Sequence, residues 1–158
     1  RLENMGPPEM QQLDLVLLLK DTLQQGRLEA EQRQIELSYQ GPEDAFYQGN
    51  PQLLFSVIDN LLRNAIRHSP EQGQIKLQLT DQGQRWLITL SDEGGGVPDD
   101  LLPQLFERFY RVDEARNQDT GGAGLGLAIA KSAVLQHRGQ IIAKNSDKGL
   151  VVSITLPK

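Results

Sequence analysis

Residues 51–68 constrain the fold more than any other segment, because they have the pattern of one amphipathic helix. Pro51 suits the first helical position, and Asn50 before it can cap the helix. Apolar residues recur at helical spacing along one stripe, formed by Leu54, Val57, Ile58, Leu61 and Ala65. Such a stripe must be covered, and we expect it to pack on a sheet.

Segments of alternating polarity supply the strands of that sheet. They lie at residues 35–39, 75–80, 86–91, 140–144 and 151–156, and 81–83 has the composition of a hairpin turn. Residues 13 to about 31 are predicted to form a short strand that runs into a helix, with Leu15, Leu18, Leu19, Leu23 and Leu28 at roughly helical spacing. Further helices are predicted near 99–106 and over 125–136. Together these segments predict an α+β protein with a mixed sheet of about five strands, covered on one face by about three helices.

Size and charge exclude several classes of protein. A chain of 158 residues fits one domain, and its net charge of −5 argues against a broad nucleic-acid or anionic-membrane surface. A few local donors could still hold a phosphate. The absence of cysteine rules out disulfides and thiolate chemistry, and the longest aliphatic run, 15–19, is far too short to span a bilayer.

Two asparagines and two basic residues share a face of the predicted helix 51–68. Asn60, Asn64, Arg67 and His68 follow at i, i+4, i+7 and i+8. One interpretation is a solvated helix edge. The other is a site in which an amide oxygen coordinates Mg²⁺, a hard ion that prefers oxygen ligands, with Arg67 and His68 near phosphates that share the metal.

Two glycine-rich segments also have functional interpretations. Residues 92–97 follow a strand, and the carboxylate of Asp92 could accept a hydrogen bond from an exocyclic amine such as that of adenine; a plain turn capped by Asp92 is the alternative. Residues 121–127 lead into a helix, whose free N–H groups could bind a polyphosphate. This second segment is not a Walker A loop, because no Gly-Lys-Ser/Thr follows it.

In order and spacing these segments resemble the N, G1, F and G2 boxes of sensor histidine kinases. The matching segments are Asn60-Leu-Leu-Arg-Asn64-Ala-Ile-Arg-His68, Asp92-Glu-Gly94-Gly-Gly96, Phe106-Glu-Arg-Phe109-Tyr-Arg111 and Gly122-Ala-Gly124-Leu125-Gly126. The resemblance covers nearly the whole chain. Residues 110–116 and 136–139 look most like the envelope-stress (Cpx-like) sensor kinases of Gram-negative bacteria.

The resemblance implies the Bergerat fold, a two-layer α/β sandwich that binds ATP with Mg²⁺. Asn64 would be the metal ligand, and Asn60, Arg67 and Arg111 would serve catalysis. Residues 107–123 would form a lid that becomes ordered when ATP binds. The nucleotide-binding residues would be Asn60, Asn64, Arg67, His68, Asp92, Gly94, Gly96, Val97, Phe109, Gly122, Gly124, Leu125 and Gly126.

Asn60 bears on the type of reaction. In the ATPase relatives a glutamate at this position activates water, and an amide cannot act as a general base. The resemblance therefore implies transfer of the phosphoryl group to a histidine in a separate dimerisation domain, then to a response regulator. His68 and His137 do not lie in a phosphoacceptor segment, and we expect His137 to be a surface residue at a helix end.

The domain organisation follows from the same resemblance. Residues 1–12 are predicted to be a linker remaining from the dimerisation domain, and 13–158 the catalytic domain. We expect a fragment of a homodimeric bacterial inner-membrane protein, in which this domain is cytoplasmic and contacts neither the membrane nor nucleic acid. A stand-alone ATPase of the same fold, an anti-sigma-type serine kinase and a non-catalytic interaction module are the alternatives.

Overall fold

The computed structural model describes residues 8–107 and 126–158. In these ranges the strands are β1 (Gln11–Asp14), β2 (Glu36–Gln40), β3 (Phe46–Gly49), β4 (Gln74–Asp81), β5 (Arg85–Ser91), β6 (Gln140–Asn145) and β7 (Leu150–Pro157). The helices are α1 (Leu15–Gln32), α2 (Pro51–His68) and α3 (Gly126–Gln136), with a 3₁₀ helix at Asp99–Gln104. The predicted α+β class is confirmed.

The main sheet has five strands in the order β2-β4-β5-β7-β6. β2 pairs parallel with β4, and the other neighbours are antiparallel, so the sheet is mixed as predicted. Alternate residues of β4, β5 and β7 are buried and their neighbours more exposed, which is typical of a sheet covered on one face. Ile75, Leu77, Ile154 and Leu156 are among its fully buried residues.

Three α-helices contribute the other half of the core. The predicted stripe of α2 is buried along its whole length, and α1 and α3 both pack against α2. Asn50 caps α2, because its side chain accepts a hydrogen bond from the Leu53 amide at 2.9 Å. Leu28, which the helical spacing grouped with the apolar residues of α1, is 69% exposed.

A second, two-stranded sheet was missed at the sequence level. β1 pairs antiparallel with β3, so that Gln11 and Gln12, which we placed in the linker, lie opposite Gly49 and Gln48. The short strand before the first helix was predicted, but β3 was not, because its four residues carry too little periodicity to be recognised alone. Asp14 fixes the start of α1, because its carboxylate accepts from the amides of Val16 and Ala45, both at 2.9 Å.

The prediction for His137 was wrong. The residue follows α3 directly, but only 3% of it is exposed. Its ring hydrogen-bonds to backbone groups on both sides, which satisfies the polar atoms that burial would otherwise leave unpaired. None of the helices in the described ranges is long and apolar enough to cross a membrane.

Candidate functional site

The asparagine pair lies on the part of α2 that the core leaves uncovered. Asn60 and Asn64 are half-buried and one helical turn apart, beside the buried stripe. The Asn60 amide nitrogen donates to the Ser56 hydroxyl at 3.3 Å. No described residue hydrogen-bonds the Asn64 side chain, so within that part of the chain its carboxamide oxygen is available to a ligand. A carboxamide oxygen is a suitable ligand for Mg²⁺.

The C-terminal end of α2 is held by a distant arginine. Arg33, which follows α1, donates from its guanidinium group to the carbonyl oxygens of Ile66 and, at 2.6 Å, Ser69. A cation here also interacts favourably with the negative end of the helix dipole. The position of the last turn of α2, which carries Arg67 and His68, is therefore well defined.

The loop after β5 meets this end of α2. A Cβ atom on Gly94 would lie 2.6 Å from the carbonyl oxygen of His68, so the two backbones approach more closely than any side chain would permit. This contact brings the loop that follows Asp92 against the helix that carries the asparagine pair. The first two of the predicted motifs therefore lie next to each other at the end of α2.

The carboxylate of Asp92 is fixed by backbone donors. Its Oδ1 accepts from the Gly94 amide at 2.9 Å and from the Leu150 amide at 3.2 Å. Among the described residues no donor contacts Oδ2. The turn that the sequence offered as the alternative to an adenine-binding role is therefore present, and it leaves the second oxygen free for a hydrogen-bond donor from a ligand.

Asn145 holds the next part of this loop. Gly95 and Gly96 have φ angles of +85° and +74°, which favour glycine, and a Cβ atom on Gly96 would overlap the side chain of Asn145. Asn145 accepts from the Val97 amide at 2.9 Å and donates to the Val97 carbonyl at 2.5 Å. It also donates to the Asp99 carboxylate at 2.7 Å.

The electrostatic surroundings of His68 indicate how close these elements lie. Partial burial lowers the pKa of His68, the Asp92 carboxylate opposes this effect, and Arg67 and Arg33 reinforce it. The residue as a whole is solvent-exposed, yet enough protein surrounds the imidazole ring to disfavour its charged form. We therefore expect His68 to be neutral at pH 7 when no nucleotide is bound.

Several predicted residues lie outside the described part of the chain. These are Phe109, Arg111, Gly122, Gly124 and Leu125, together with the part of the predicted lid that follows Glu107. Gly126 is described only as the first residue of α3. Asn60, Asn64, Arg67 and His68 on α2 and the loop 92–97 are the members of the predicted site that the structure brings together.

Two residues that support the site were not predicted from the sequence. Asn145 ends β6 and reaches back to Val97, 48 residues earlier. Arg33 lies 36 residues before Ser69. The sequence predicts strands at 140–144 and 151–156, but nothing in the segment between them indicates a contact with the glycine loop.

Comparison with known proteins gives consistent matches. A family model described as "Histidine kinase-, DNA gyrase B-, and HSP90-like ATPase" matches residues 49–158. Sensor protein SphS of Synechococcus elongatus is 44% identical over 154 residues, which cover 92% of this chain and 37% of that protein. Sensor histidine kinase CpxA of Escherichia coli is 39% identical over 142 residues, covering 89% and 31%.

Among solved structures, the mycobacterial sensor histidine kinase MprB aligns with a TM-score of 0.84 and 28% identity, covering 93% of this chain and 97% of that one. The chain spans about a third of the length of the two sequence relatives.

Proposed function

This chain belongs to the histidine kinase-, DNA gyrase B- and HSP90-like ATPase family, and we propose that it binds Mg-ATP and donates the γ-phosphoryl group to a histidine of a dimerisation domain. The predicted resemblance to sensor histidine kinases, the Cpx type included, is confirmed by the relatives at 44% and 39% identity. The chain is an ATP-binding catalytic domain of the histidine kinase type. Its substrates and partners in the whole protein are part of the proposal.

The observation that carries the proposal is the contact between Gly94 and the end of α2. With this contact in place, the second oxygen of Asp92 and the amides of Asn60 and Asn64 would border one nucleotide site. Asp92 would accept a hydrogen bond from the adenine amine, and Val97 would pack against the ring. Arg67 and His68 would lie toward the phosphates, and Arg111 and the 122–126 segment would complete the site from outside the described residues.

Mg²⁺ fits the donors that this site offers. Asn64 would contribute its amide oxygen, and ATP would contribute phosphate oxygens. When bound, the ion would neutralise charge on the phosphates. Asn60, whose amide nitrogen is directed to Ser56, would keep its oxygen for a water or phosphate contact near the metal.

The nature of residue 60 favours a kinase over an ATPase. An amide cannot take the proton of an attacking water, and the neighbouring carboxylate is not placed to replace it. Asp59 is paired with Arg63, one turn later on the exposed side of α2, at 3.1 Å.

In the proposed transfer an imidazole nitrogen forms a bond to the γ-phosphorus, the bond to the β,γ-bridging oxygen breaks, and ADP leaves.

The wider setting is part of the same proposal. A chain of this type would work in a homodimer with its dimerisation domain and would relay the phosphoryl group to a response regulator. It would be the cytoplasmic domain of a bacterial inner-membrane protein. Residues 1–12 would join it to the dimerisation domain, with Gln11 and Gln12 already part of β1.

Calorimetry with Mg-ATP tests the site. We expect wild type to bind and Asn64→Ala to bind at least about fivefold more weakly, since losing about 1 kcal/mol changes Kd by that factor. Gln52→Ala is the matched control, because Gln52 is exposed in the first turn of the same helix. Equal affinity in wild type and Asn64→Ala would refute the metal assignment.

Incubation with γ-labelled ATP tests the type of reaction. We expect the chain alone to acquire no label and to hydrolyse ATP only at a trace rate, because residue 60 is an amide and the sequence contains no phosphoacceptor segment. Sustained turnover would instead support the stand-alone ATPase. Transfer of an acid-stable label to a partner protein would support a serine kinase.

A further inference from the structure

His137 lies at the junction of α3, β3 and the start of α2, away from the site described above. It is almost completely buried, and the Tyr47 ring lies beside it with a centroid separation of 6.2 Å. The chemistry proposed for the domain does not involve this side chain. A buried, polar and fully hydrogen-bonded residue outside the site therefore calls for another explanation.

Both ring nitrogens of His137 are bonded to backbone groups. Nε2 lies 3.0 Å from the Asn50 amide nitrogen, and Nδ1 lies 2.8 Å from the Ala133 carbonyl oxygen. An amide N–H can only donate and a carbonyl can only accept. These partners assign Nδ1 as the donor of the ring and Nε2 as its acceptor.

The partner of Nε2 is Asn50, the residue that caps α2. Asn50 caps this helix with its side chain, its carbonyl accepts from the Leu54 amide at 3.0 Å, and its own amide N–H goes to His137. The other bond of the ring goes to the last turn of α3. His137 thus joins the C-terminal end of α3 to the N-terminal end of α2 through two backbone groups.

The two helices joined in this way carry the two halves of the nucleotide site. α2 bears Asn60 and Asn64, and α3 begins at Gly126, the last glycine of the proposed phosphate-binding segment. The residues that α3 buries include Ala130, Ala133 and Val134, and of these only Val134 has a branched side chain that can interlock with a neighbouring helix. A directional tie at the far end therefore adds control over the position and rotation of α3.

We propose that His137 is a positioning residue for nucleotide binding, which sets α3 against α2 through the Asn50 amide. The inference rests on the proposed function, because it assumes that residue 126 lies at the phosphates. The side chain acts through α3 and does not touch the nucleotide. A purely structural role would lower stability without a specific effect on Mg-ATP affinity.

Two substitutions separate the two hydrogen bonds. In His137→Gln the side-chain oxygen is as many bonds from Cα as Nε2 is in histidine. The glutamine can therefore accept from the Asn50 amide, but it leaves the Ala133 carbonyl without a donor. In His137→Asn the amide nitrogen is as many bonds from Cα as Nδ1, so it can donate to Ala133 but leaves the Asn50 amide unpaired. Each variant therefore keeps one bond of the pair.

The measurements are Mg-ATP affinity by calorimetry and thermal unfolding, on wild type and both variants. We expect His137→Asn to bind at least about fivefold more weakly and His137→Gln to recover most of that loss, although both unfold at lower temperature. Equal affinities in the two variants, whether at the wild-type level or equally reduced, would overturn the proposal.

A spectroscopic measurement on wild type covers the case in which a variant fails to fold. Nitrogen NMR of the labelled imidazole should give a protonated Nδ1 and an unprotonated Nε2, and the opposite tautomer would refute the assignment. Asn64→Ala provides the reference for a lost phosphate-side contact. If wild type itself did not bind Mg-ATP, the proposed function would fail, whereas binding that is insensitive to residue 137 would refute this inference alone.

Discussion

Replacing Gly94 with alanine adds one methyl group at the contact between the loop after β5 and the end of α2. The new Cβ would lie 2.6 Å from the carbonyl oxygen of His68 and 3.0 Å from its carbonyl carbon. These are backbone atoms of a helix end that Arg33 also holds. Ordinary contact begins at about 3.4 Å, so the loop must move away by about 0.8 Å.

The expected loss of stability follows from two opposing terms. Overpacking of this kind costs about 1–3 kcal/mol, and the lower entropy of the unfolded alanine chain offsets about 0.4–1 kcal/mol. The φ angle of Gly94 lies outside the left-handed region, so no further strain is added. A net loss of about 1–2 kcal/mol corresponds to a Tm about 2–8 °C lower for a domain of this size.

The movement should also affect the nucleotide. Asp92 bonds the Gly94 amide, so displacing Gly94 shifts the carboxylate that we assign to adenine. A loss of about 1 kcal/mol in binding weakens Kd about fivefold. Calorimetry with Mg-ATP and a thermal melt on the same sample measure both effects.

Gly83→Ala is the matched control for this substitution. Gly83 has a φ of +87° and no atom within 4 Å of the position that a Cβ would take, and it lies in the β4–β5 hairpin turn. Alanine there should lower stability by about 1–2 kcal/mol through backbone strain alone, with Mg-ATP affinity unchanged. If Gly94→Ala matched wild type in both Tm and affinity, the loop would not be seated on α2 as described.

Three further predictions concern the supports of the site. Asn145→Ala removes two hydrogen bonds to the Val97 backbone and should lower the free energy of unfolding by about 1–2 kcal/mol in a denaturant titration; an unchanged midpoint would contradict this. Arg33→Met removes two charge-assisted hydrogen bonds at the end of α2 and should lower the free energy of unfolding by about 2–3 kcal/mol. The loss of the guanidinium charge should also raise the pKa of His68, measured by proton NMR, and a lowered pKa would contradict this. In wild type the folded-state pKa of His68 is lowered, so the contribution of His68 to stability is complete above the unfolded pKa of about 6.5 and is lost as the pH falls through the folded pKa. His68→Gln should therefore lose less stability than wild type on acidification below about pH 6.5. An equal loss in the variant would show that His68 is not the cause.

The main helix and sheet could be predicted because their signals are local. α2 begins and ends at the residues predicted, since a proline at its first position, a capping asparagine and a continuous apolar stripe agree. The β4–β5 hairpin follows from alternation and a glycine turn in the same way. In contrast β3, with four residues, depends on pairing with β1, and it is not recognisable without this partner.

The motif order predicted which residues share the site but not what holds them. Asn60 and Asn64 are a turn apart on one helix, and helical geometry alone places them on one face. The approach of Gly94 to His68 is a contact between two elements, and a glycine in the sequence indicates only that some close approach is possible. The identity of the atom approached depends on the packing of α2 against β5.

His137 shows why the remaining error arose. A histidine one residue beyond a predicted helix resembles a surface residue, because such positions are usually solvated and histidine tolerates water. Its burial depends on a donor 87 residues earlier, the amide of Asn50, and on the ring of Tyr47 in a strand that was not predicted. Once β3 is present, the end of α3 is covered and the histidine must find two backbone partners or carry the cost of unpaired ring nitrogens. A missed four-residue strand therefore accounts for the misplaced histidine, and both errors have one physical cause.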